Sequence, residues 1–579
     1  MTAATPVDLA LALPPDDDPG RAAVVAADGS LTFTELEDRV EDLHRRLVRH
    51  GAGPEQIIGV RLPRGLDLVV ALLAVWRSGA AYLPVDPELP EARQRFMLDD
   101  SRATLVIGPA GIEPVTAAPA RPERAGPCPA GALAYVLYTS GSTGTPKAVA
   151  VTRAGVTNLM RGLADLGVYD GGRRTVAWNA GASFDASVQQ WTRLMRGDTI
   201  VLLGTERTDP EALAALLRRH AVTDLDITPT HWGTVRDAVV AGRTGDTVPL
   251  RLLIGGEAIP EAMWIDLCRL AGRGIVEAMN VYGPTETTVD ATAARILTGE
   301  PSIGRPLTGV RAYVLDEQLN PARTGELFLA GAGLARGYLH RPGLTARSFL
   351  PDVLAGDGSR MYRTGDRVSR RADGSLDFLG RLDRQVKLRG LRIEPGEVEA
   401  ALAAQEAVRD VRVVLRDDLP GGDGLVAYCL VDEPGPEVAG RIARGSAELL
   451  PAHLRPAAVV TLSEFPRTAN GKLDTAALPL PHRGVLPADA DRPALPQDRV
   501  LAAAAGVLGL ERVSADDDFF SLGGNSLHAA GIRARLRGAW GLRVPARLLF
   551  DHPRLGDFAA QVSELAERQH RQLIQEERS

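Results

Sequence analysis

A layered α/β fold, followed by a smaller α+β unit and a small helical bundle, is the architecture this sequence predicts. Three observations lead to it. From about residue 30 to about residue 380, apolar runs of strand length alternate with amphipathic runs of helix length. That alternation argues for helices layered on a mainly parallel sheet. Near Asp383 a shorter set of strand and helix signals begins and ends at about Leu478-Pro-Leu-Pro481. The stretch Pro481–Gln497 is rich in proline with little apolar periodicity, which reads as a semi-rigid linker. From Asp498 to about Gln561 the spacing is helical, clearest over Val500–Leu510 and Ser526–Leu536.

Taken in order, residues 1–20 are rich in Pro and Asp and form a loose arm. Leu31-Thr-Phe-Thr-Glu-Leu36 opens a helix with Thr34 as its cap, and Leu36, Val40, Leu43 and Leu47 share one face. Ile57–Leu62, Ala81–Val85 and Thr104–Ile107 read as short strands, with the helical run Leu66–Trp76 between the first two. Gly108–Gly131, rich in Pro, Ala and Gly, reads as a surface connection. In the second unit Val386–Leu388, Val411–Leu415 and Leu425–Val431 read as strands and Pro395–Ala404 as a helix. The tail from Val562 is a charged helical extension, either a docking element or a solvated end.

Composition narrows the function. At 579 residues the chain holds roughly four domains of about 150 residues, or one large domain and smaller ones. Apolar residues make up 45% and charged ones 24%, the balance of a globular chain. A net charge of −7 without any Lys/Arg-rich run argues against nucleic acid. Cys128, Cys268 and Cys429 are scattered, so neither metal spacing nor a disulfide framework follows. Leu66–Trp76 contains Asp67 and is too short to span a bilayer; with no secretory signal visible, a cytoplasmic protein without membrane partners is expected.

The chemistry centres on Tyr138-Thr-Ser-Gly-Ser-Thr-Gly-Thr-Pro-Lys147, which follows the apolar run Ala132–Leu137. Hydroxyl and glycine residues fill every position from Thr139 to Thr145. Glycine lets backbone N–H groups converge on an anion, hydroxyls add donors, and Lys147 adds a point charge. The string does not meet the Walker A pattern. A bare STGS stretch would read equally well as a flexible turn; the full string with Pro-Lys at its end favours a phosphate cradle.

The string resembles the nucleotide loop of adenylate-forming enzymes, and of nonribosomal peptide synthetase adenylation domains in particular. Further motifs stand in that family's order: Trp76-Arg-Ser-Gly-Ala-Ala-Tyr-Leu-Pro-Val-Asp86, Phe184-Asp-Ala-Ser187, Asn280-Val-Tyr-Gly-Pro-Thr-Glu286, Gly325-Glu-Leu-Phe-Leu-Ala-Gly-Ala-Gly-Leu-Ala-Arg-Gly-Tyr-Leu339, Tyr362-Arg-Thr-Gly-Asp366, Gly380-Arg-Leu-Asp-Arg-Gln-Val-Lys-Leu-Arg-Gly390 and Asn470-Gly-Lys472. Asp518-Phe-Phe-Ser-Leu-Gly-Gly-Asn-Ser526-Leu resembles a phosphopantetheine attachment motif. The chain departs from the pattern at Ala148, at Thr475 and in the loose Leu450–Pro456 stretch. The resemblance implies a large multi-layer adenylate-forming core (1–382), a small mobile α+β lid (383–480), a linker (481–497), a four-helix peptidyl carrier bundle (498–565) and a tail (566–579).

The same resemblance implies the site. ATP would be bound by Thr139, Ser140, Gly141, Ser142, Thr143, Gly144 and Lys147 at the phosphates. Tyr282 would give a π-face for adenine and Gly256, Glu257 and Ala258 its edges, with Asn280, Gly283 and Thr285 nearby. Asp366 and Arg381 would clamp the ribose. Glu286 would hold Mg²⁺. Lys472 would stabilise charge as the substrate carboxylate attacks the α-phosphate. Asp383 would be the lid hinge, Gln385–Gly390 would line a thiol tunnel after rotation, and Ser526 would carry 4′-phosphopantetheine. Each has a plainer reading alone: a core tyrosine, a turn aspartate, a solvated turn lysine, an N-cap serine.

For the amino-acid substrate the resemblance gives Asp185, Ala186, Gln189, Asp226, Leu253, Gly255, Val281, Val289, Asp290 and Lys472, with Asp185 on the α-amino group and Lys472 on the carboxylate. Gln189, Asp226 and Asp290 remain as polar lining. An amide side chain can donate to a carboxylate and accept from Gln189, and the set resembles the family's glutamine-selecting pocket. Glutamine is therefore expected, with glutamate disfavoured by two acids and ornithine as the cationic alternative; one Asp could also face away. An acyl- or aryl-acid ligase is the enzymatic rival, which Asp185 argues against, and a carrier scaffold with a degenerate ligase is the non-enzymatic one. Implied partners are a phosphopantetheinyl transferase, a downstream synthetase or tailoring enzyme in trans, and an MbtH-like protein near Leu344–Phe349 and Gly358–Tyr362. No condensation motif and no G-x-S-x-G elbow is present in this sequence.

Overall fold

The computed structural model describes residues 20–115, 128–141, 144–243, 248–388, 390–419, 423–468, 473–481 and 496–508, positions 13 and 18, and within 510–576 all but 511, 521, 523, 525–527, 530, 534, 537–541, 543, 546 and 547. Most of the N-terminal arm, most of the 481–497 linker, and Ser142, Thr143, Lys472 and Ser526 lie outside the described residues. The chain divides into two units: Met1–Gly141 with Pro146–Arg392, and Ile393–Ser579 with the short segment Ser142–Thr145.

In the first unit the expected mainly parallel sheet is one mainly parallel sheet, one mixed sheet with three parallel and three antiparallel pairings, and an antiparallel one. The first orders its nine described strands Arg305–Pro306, Thr292–Arg295, Val276–Tyr282, Leu250–Gly255, Asp224–Ile227, Thr175–Trp178, Thr199–Leu202, Ala22–Ala26 and Gly29–Thr32. The middle six run parallel and the outer pairings are antiparallel. The second runs Gly337–Tyr338, Lys147–Thr152, Leu133–Thr139, Ala81–Pro84, Ile57–Val60, Leu105–Gly108 and Gly111–Pro114. The third is built on Val310–Leu315, Thr324–Gly331, Arg360–Arg370 and Phe349–Pro351, with Leu376–Arg381 paired to Arg360–Arg370.

The helix Leu66–Arg77 explains why two sheets can coexist. Leu66 and every residue from Leu68 to Trp76 are buried, so the helix is apolar all round and belongs inside. One apolar cluster joins it to Val24, Val176, Trp178 and Ile200 of the first sheet and to Ile58, Tyr82, Tyr135 and Val149 of the second. Trp76 meets Trp191 edge-to-face at 4.9 Å, and its indole N–H donates to the Ala134 carbonyl at 2.8 Å. Arg153 Nη2 donates to the Trp76 carbonyl, also at 2.8 Å. The core is thus tied to the strand that leads into the hydroxyl-rich loop.

Two local expectations are corrected. The first helix, Phe33–Arg49, is capped by Thr32 and not Thr34: Thr32 and Glu35 form a reciprocal capping box. The predicted surface connection after Gly108 begins as a strand, Gly111–Pro114, which returns antiparallel to Leu105–Gly108 through a tight turn.

In the second unit, strands Asp410–Arg416, Gly424–Leu430 and Ala458–Leu462 form a mixed sheet with helices Pro395–Ala403 and Pro436–Leu449. Val426, Tyr428, Val460, Phe465 and Leu478 form its core. Further along, helices Pro496–Leu508, Leu548–Asp551 and Leu555–Glu576 and the described helical residues between 528 and 536 enclose Val500, Leu508, Phe519, Ile532, Leu536 and Phe558. The Asp518-Phe-Phe motif is fixed there: Phe519 N–H donates to the Pro553 carbonyl at 2.7 Å, and the Phe519 carbonyl accepts from Gly524 N–H at 2.9 Å. Among the described residues no helix is long and apolar enough to cross a membrane.

Candidate active site

The hydroxyl-rich loop joins two antiparallel strands, and the register sets Thr139 opposite Lys147. Lys147 therefore begins the return strand and points into a buried cluster. Its Nζ lies 3.5 Å from Glu286 Oε1 and 3.4 Å from the Tyr338 hydroxyl. Tyr338 comes from the neighbouring strand and donates its O–H to Glu286 Oε1 at 2.7 Å. Arg392 Nη1 donates to Glu286 Oε2 at 2.6 Å. Glu286 is fully buried. Burial alone would raise its carboxyl, but Arg392, then Lys147 and Tyr338, outweigh it and hold Glu286 well below the ordinary carboxylate range. The result is two cations to one carboxylate in a dry place, a setting that favours an added anion. At the loop, Ser140 Oγ donates to the Arg392 carbonyl at 2.9 Å. The buried Thr139 Oγ1 has no hydrogen-bond partner among the described residues. An orphaned hydroxyl beside paired cations fits a phosphate group, and a buried ionised Glu286 is the kind of carboxylate Mg²⁺ takes along with phosphate oxygens and water.

A second cluster surrounds Asp366, on the strand Arg360–Arg370. Gly365 has φ +74°, and a Cβ there would sit 2.9 Å from Arg381 Nη2; only glycine fits that turn. Arg381 Nη1 donates to Asp366 Oδ1 at 2.8 Å, while its Nε and Nη2 donate to Asp383 at 2.9 and 2.7 Å. The Tyr282 hydroxyl donates to Asp366 Oδ2. The ring assigned to adenine carries Lys387 Nζ 5.4 Å from its centroid, with Phe378 beside it. Glu257 accepts from Thr230 N–H and Oγ1 at 2.9 and 2.7 Å and from Gly390 N–H. Asn280 turns its amide onto the Ser302 carbonyl at 2.7 Å.

A third group gathers the residues assigned to the substrate. The Asp185 carboxylate accepts from Thr285 Oγ1 at 2.6 Å. Gln189 lies on the short helix Ala186–Trp191 that follows. Asp226 stands opposite Leu253, and Gly255 opposite Val281, on adjacent strands. A Cβ on Gly255 would sit 2.6 Å from the Val281 carbonyl oxygen, so the close strand approach requires glycine. Thr288 and Val289 both have positive φ, 62° and 67°. Two such non-glycine residues store strain, and they deliver Asp290 to the group.

Burial drives the electrostatics here. It raises Asp185 despite the Thr285 bond. It pushes Asp226 up to about 7, against the amides of Gln190 and Gln189 and the field of Arg193. It raises Asp290 well above the ordinary carboxylate range, with the charges of Asp226 and Asp185 adding. Arg193 directs its own bonds at Asp198 (2.5 Å) and Asp224 (3.4 Å). Gln189 Oε1 and Asp290 Oδ2 are buried without a hydrogen-bond partner among the described residues. The group is acidic, part-protonated and short of donors.

Sequence reasoning gave no role to Arg392, Tyr338 or Gln190. Tyr338 lies inside the Gly325–Leu339 motif, and Gln190 follows Gln189. Arg392 lies just past a quoted motif, and its partner Glu286 is 106 positions away in the chain.

The chain matches two AMP-binding families and a carrier family. Residues 14–339 match the AMP-binding enzyme family, residues 397–472 its C-terminal domain, and residues 498–562 the phosphopantetheine attachment site. Novobiocin biosynthesis protein H of Streptomyces niveus is 38% identical over 94% of this chain and 93% of its own length. A dimodular nonribosomal peptide synthase of Bacillus subtilis is 38% identical and the phosphinothricin tripeptide synthetase PhsB of Streptomyces viridochromogenes 40%, each over 94% of this chain; the chain spans only 24% and 48% of their lengths. A solved structure of a holo nonribosomal peptide synthetase protein containing adenylation and PCP domains, bound to a vinylsulfonamide inhibitor, superposes with a TM-score of 0.75 at 29% identity, covering 95% of this chain and 96% of that one. ATP with Mg²⁺ and 4′-phosphopantetheine are the cofactors of such proteins. Matched by these families over most of its length, and by a relative of nearly equal extent, the chain belongs to the AMP-binding enzymes as an adenylation–carrier didomain of the nonribosomal peptide synthetase type.

Proposed function

We propose that this didomain adenylates L-glutamine and loads it onto its own carrier. A glutamine carboxylate oxygen would attack the α-phosphorus of ATP, pyrophosphate would leave, and the glutaminyl group would pass from AMP to a thiol with release of AMP. The thiol is what 4′-phosphopantetheine supplies, on Ser526. The domain limits follow the motifs: core to residue 382, lid to 480, linker to 497, carrier to 565. Lys147 and the hydroxyl-rich loop receive the phosphates, Glu286 holds Mg²⁺, Asp366 and Arg381 take the ribose, Asp185 takes the α-amino group, and Lys472 neutralises charge at the attack.

One observation carries the choice of glutamine: Gln189 Oε1 and Asp290 Oδ2 are buried acceptors without donors. A primary amide brings two N–H donors and an acceptor with no net charge. A glutamate carboxylate would bring acceptors alone into a group that already resists ionisation. The acidity of Asp226 and Asp290 favours ornithine as the second reading, since a cation would let both carboxyls ionise. ATP–pyrophosphate exchange with the twenty common amino acids and ornithine tests this. Glutamine should give the highest kcat/KM; a maximum at ornithine selects the second reading, and exchange with neither defeats both. The loaded residue would pass to a downstream synthetase or tailoring enzyme after a phosphopantetheinyl transferase has modified Ser526. An MbtH-like protein would meet the chain around Leu344–Phe349 and Gly358–Tyr362.

A further inference from the structure

Where a strand leaves a sheet it loses the donors of its ladder, and the carbonyls that follow must find others. The strand Thr175–Trp178 leaves in this way on its path to Asp185. Its register with Asp224–Ile227 stops at Ala177 and with Thr199–Leu202 at Trp178. The Trp178 carbonyl still accepts from Leu203 N–H at 3.1 Å. From there on arginines take over. Arg64 donates through Nη2 to the Trp178 carbonyl, through Nη1 to the Ala180 carbonyl at 2.7 Å and through Nε to the Leu203 carbonyl. Arg207 Nη1 donates to the Asn179 carbonyl between them at 3.2 Å. The Arg64 guanidinium also lies 5.6 Å from the centre of the buried Trp178 ring. A planar fork with Nε, Nη1 and Nη2 all engaged fixes three points of the chain relative to one another, which an ammonium on a flexible stem does not. The segment so pinned borders the substrate group on two sides. Asn179 Nδ2 donates to the Asp226 backbone carbonyl at 3.1 Å, and Ala180 N–H donates at 3.1 Å to Gln190 Oε1 on the helix Ala186–Trp191. Between Ala180 and Asp185 the chain makes a single turn, closed by Phe184 N–H on the Gly181 carbonyl at 2.9 Å. A displacement of Ala180 therefore has little slack to absorb it before Asp185.

We infer that Arg64 is a positioning residue for the amino-acid substrate: its fork sets where the chain leaves the sheet, and through the one turn that follows it holds Asp185 where an α-amino group can meet it. The inference rests on the reading of Asp185 given above. None of the three Arg64 bonds goes to a residue assigned to substrate or nucleotide, so Arg64 acts through the chain and not on the reacting groups. A lysine in its place would keep the charge but not the fork. A methionine would keep the stem and lose both.

The test uses the full didomain and ATP–pyrophosphate exchange, with Arg64→Lys and Arg64→Met beside wild type. Each is given glutamine and the monoamide of glutaric acid, which lacks only the α-amine. Wild type should prefer glutamine. A hydrogen bond to a charged group, misplaced, corresponds to roughly 10- to 100-fold in an equilibrium constant. In Arg64→Lys the ratio of kcat/KM between the two acids should therefore fall about 10-fold, with a similar rise in KM for glutamine, while KM for ATP stays within about twofold. Arg64→Met should lower the ratio at least as far. A ratio within about threefold of wild type in Arg64→Lys overturns the inference, as does an equal fall in kcat/KM for both acids, which is what a merely structural arginine would give. Arg64→Met carries the greater risk of not folding, and Arg64→Lys decides without it; if neither variant folds, Arg64 is a residue of the fold and the inference is overturned. Equal use of both acids by wild type would bring down the reading of Asp185, and this inference with it. If wild type activates an amino acid other than glutamine, that amino acid and its analogue without the α-amine carry the same test, so the choice of glutamine falls separately.

Discussion

Asp226→Asn should stabilise the first unit, and by an amount that grows with pH. A carboxyl that titrates near 3.9 in an unfolded chain and at about 7 here binds more protons folded than unfolded between those two values. Stability therefore falls as pH rises through that window. The penalty is nil below about pH 3, about 1.5 kcal/mol at pH 5, and saturates at about 4 kcal/mol by pH 8. Asparagine has no such titration, so its advantage over aspartate should grow by about 2.5 kcal/mol between pH 5 and pH 8. The constant cost or gain of burying an amide cancels in that difference. For a unit of roughly 390 residues this corresponds to about 3 °C in Tm. Tryptophan emission is a suitable probe, because Trp76, Trp178, Trp191, Trp232 and Trp264 are all buried in this unit. Thermal melts of wild type and Asp226→Asn at both pH values give the answer. An advantage that is the same at pH 5 and pH 8, or larger at pH 5, would mean that Asp226 is ionised in the folded protein, and the account of the pocket as part-protonated would be wrong.

Three other perturbations probe the remaining parts. Glu286→Gln leaves the buried Lys147 and the part-buried Arg392 beside a neutral amide, so it should cost about 3 kcal/mol in denaturant unfolding and lower pyrophosphate exchange about 100-fold or more at saturating amino acid; near wild-type exchange would remove Glu286 from the phosphate site. Gly365→Ala forces a Cβ into a left-handed turn 2.9 Å from Arg381, so KM for ATP should rise about 10-fold or more with the amino-acid KM unchanged, and an effect on the amino acid alone would contradict the placement of Asp366. Trp76→Ala removes the fully buried indole from the last turn of the helix Leu66–Arg77 and should destabilise by about 3–5 kcal/mol, read as a lower urea midpoint; a loss under about 1 kcal/mol would show that this end of the helix does not hold the two sheets together.

What the sequence made legible follows from the range of each interaction. Leu66–Arg77 was readable because an unbroken apolar run of helix length has one destination, the interior. The strands Ile57–Val60 and Ala81–Pro84 were readable for the same reason at shorter length. The cap of the first helix was misread although its signal is local: Thr32 and Glu35 have the three-residue spacing of a capping box, and Thr34 lacks it. The strand Gly111–Pro114 was missed because its partner, not its own composition, makes it a strand. In the candidate site, residues such as Asp185, Glu286 and Asp366 were nominated by their motif strings. Their partners were not. Arg392 and Tyr338 reach Glu286 from 106 and 52 positions away, and no periodicity in the chain announces a contact between side chains so far apart.

The distribution of charge gives the proposed reaction a direction. At one end Lys147 and Arg392 outnumber Glu286, and at the other stand the half-buried Asp185 and the buried Asp226 and Asp290. Consecutive residues of one short turn join the two: Thr285 binds Asp185, and Glu286 binds both cations. The carboxylates repel across that turn, for Glu286 adds to the rise in Asp185. An amino acid is a dipole of matching sense, its ammonium drawn to Asp185 and its carboxylate to the cationic end. In a low-dielectric site such fields act strongly and need no reorganisation when the substrate arrives. A zwitterion would therefore relieve the repulsion between Asp185 and Glu286 while turning its carboxylate toward the phosphates, whereas an acid without an α-amine would bring Asp185 no cation. On the proposed reaction, a preference for an amino acid over a simple carboxylic acid would thus be a property of the Thr285–Glu286 turn as much as of Asp185 itself.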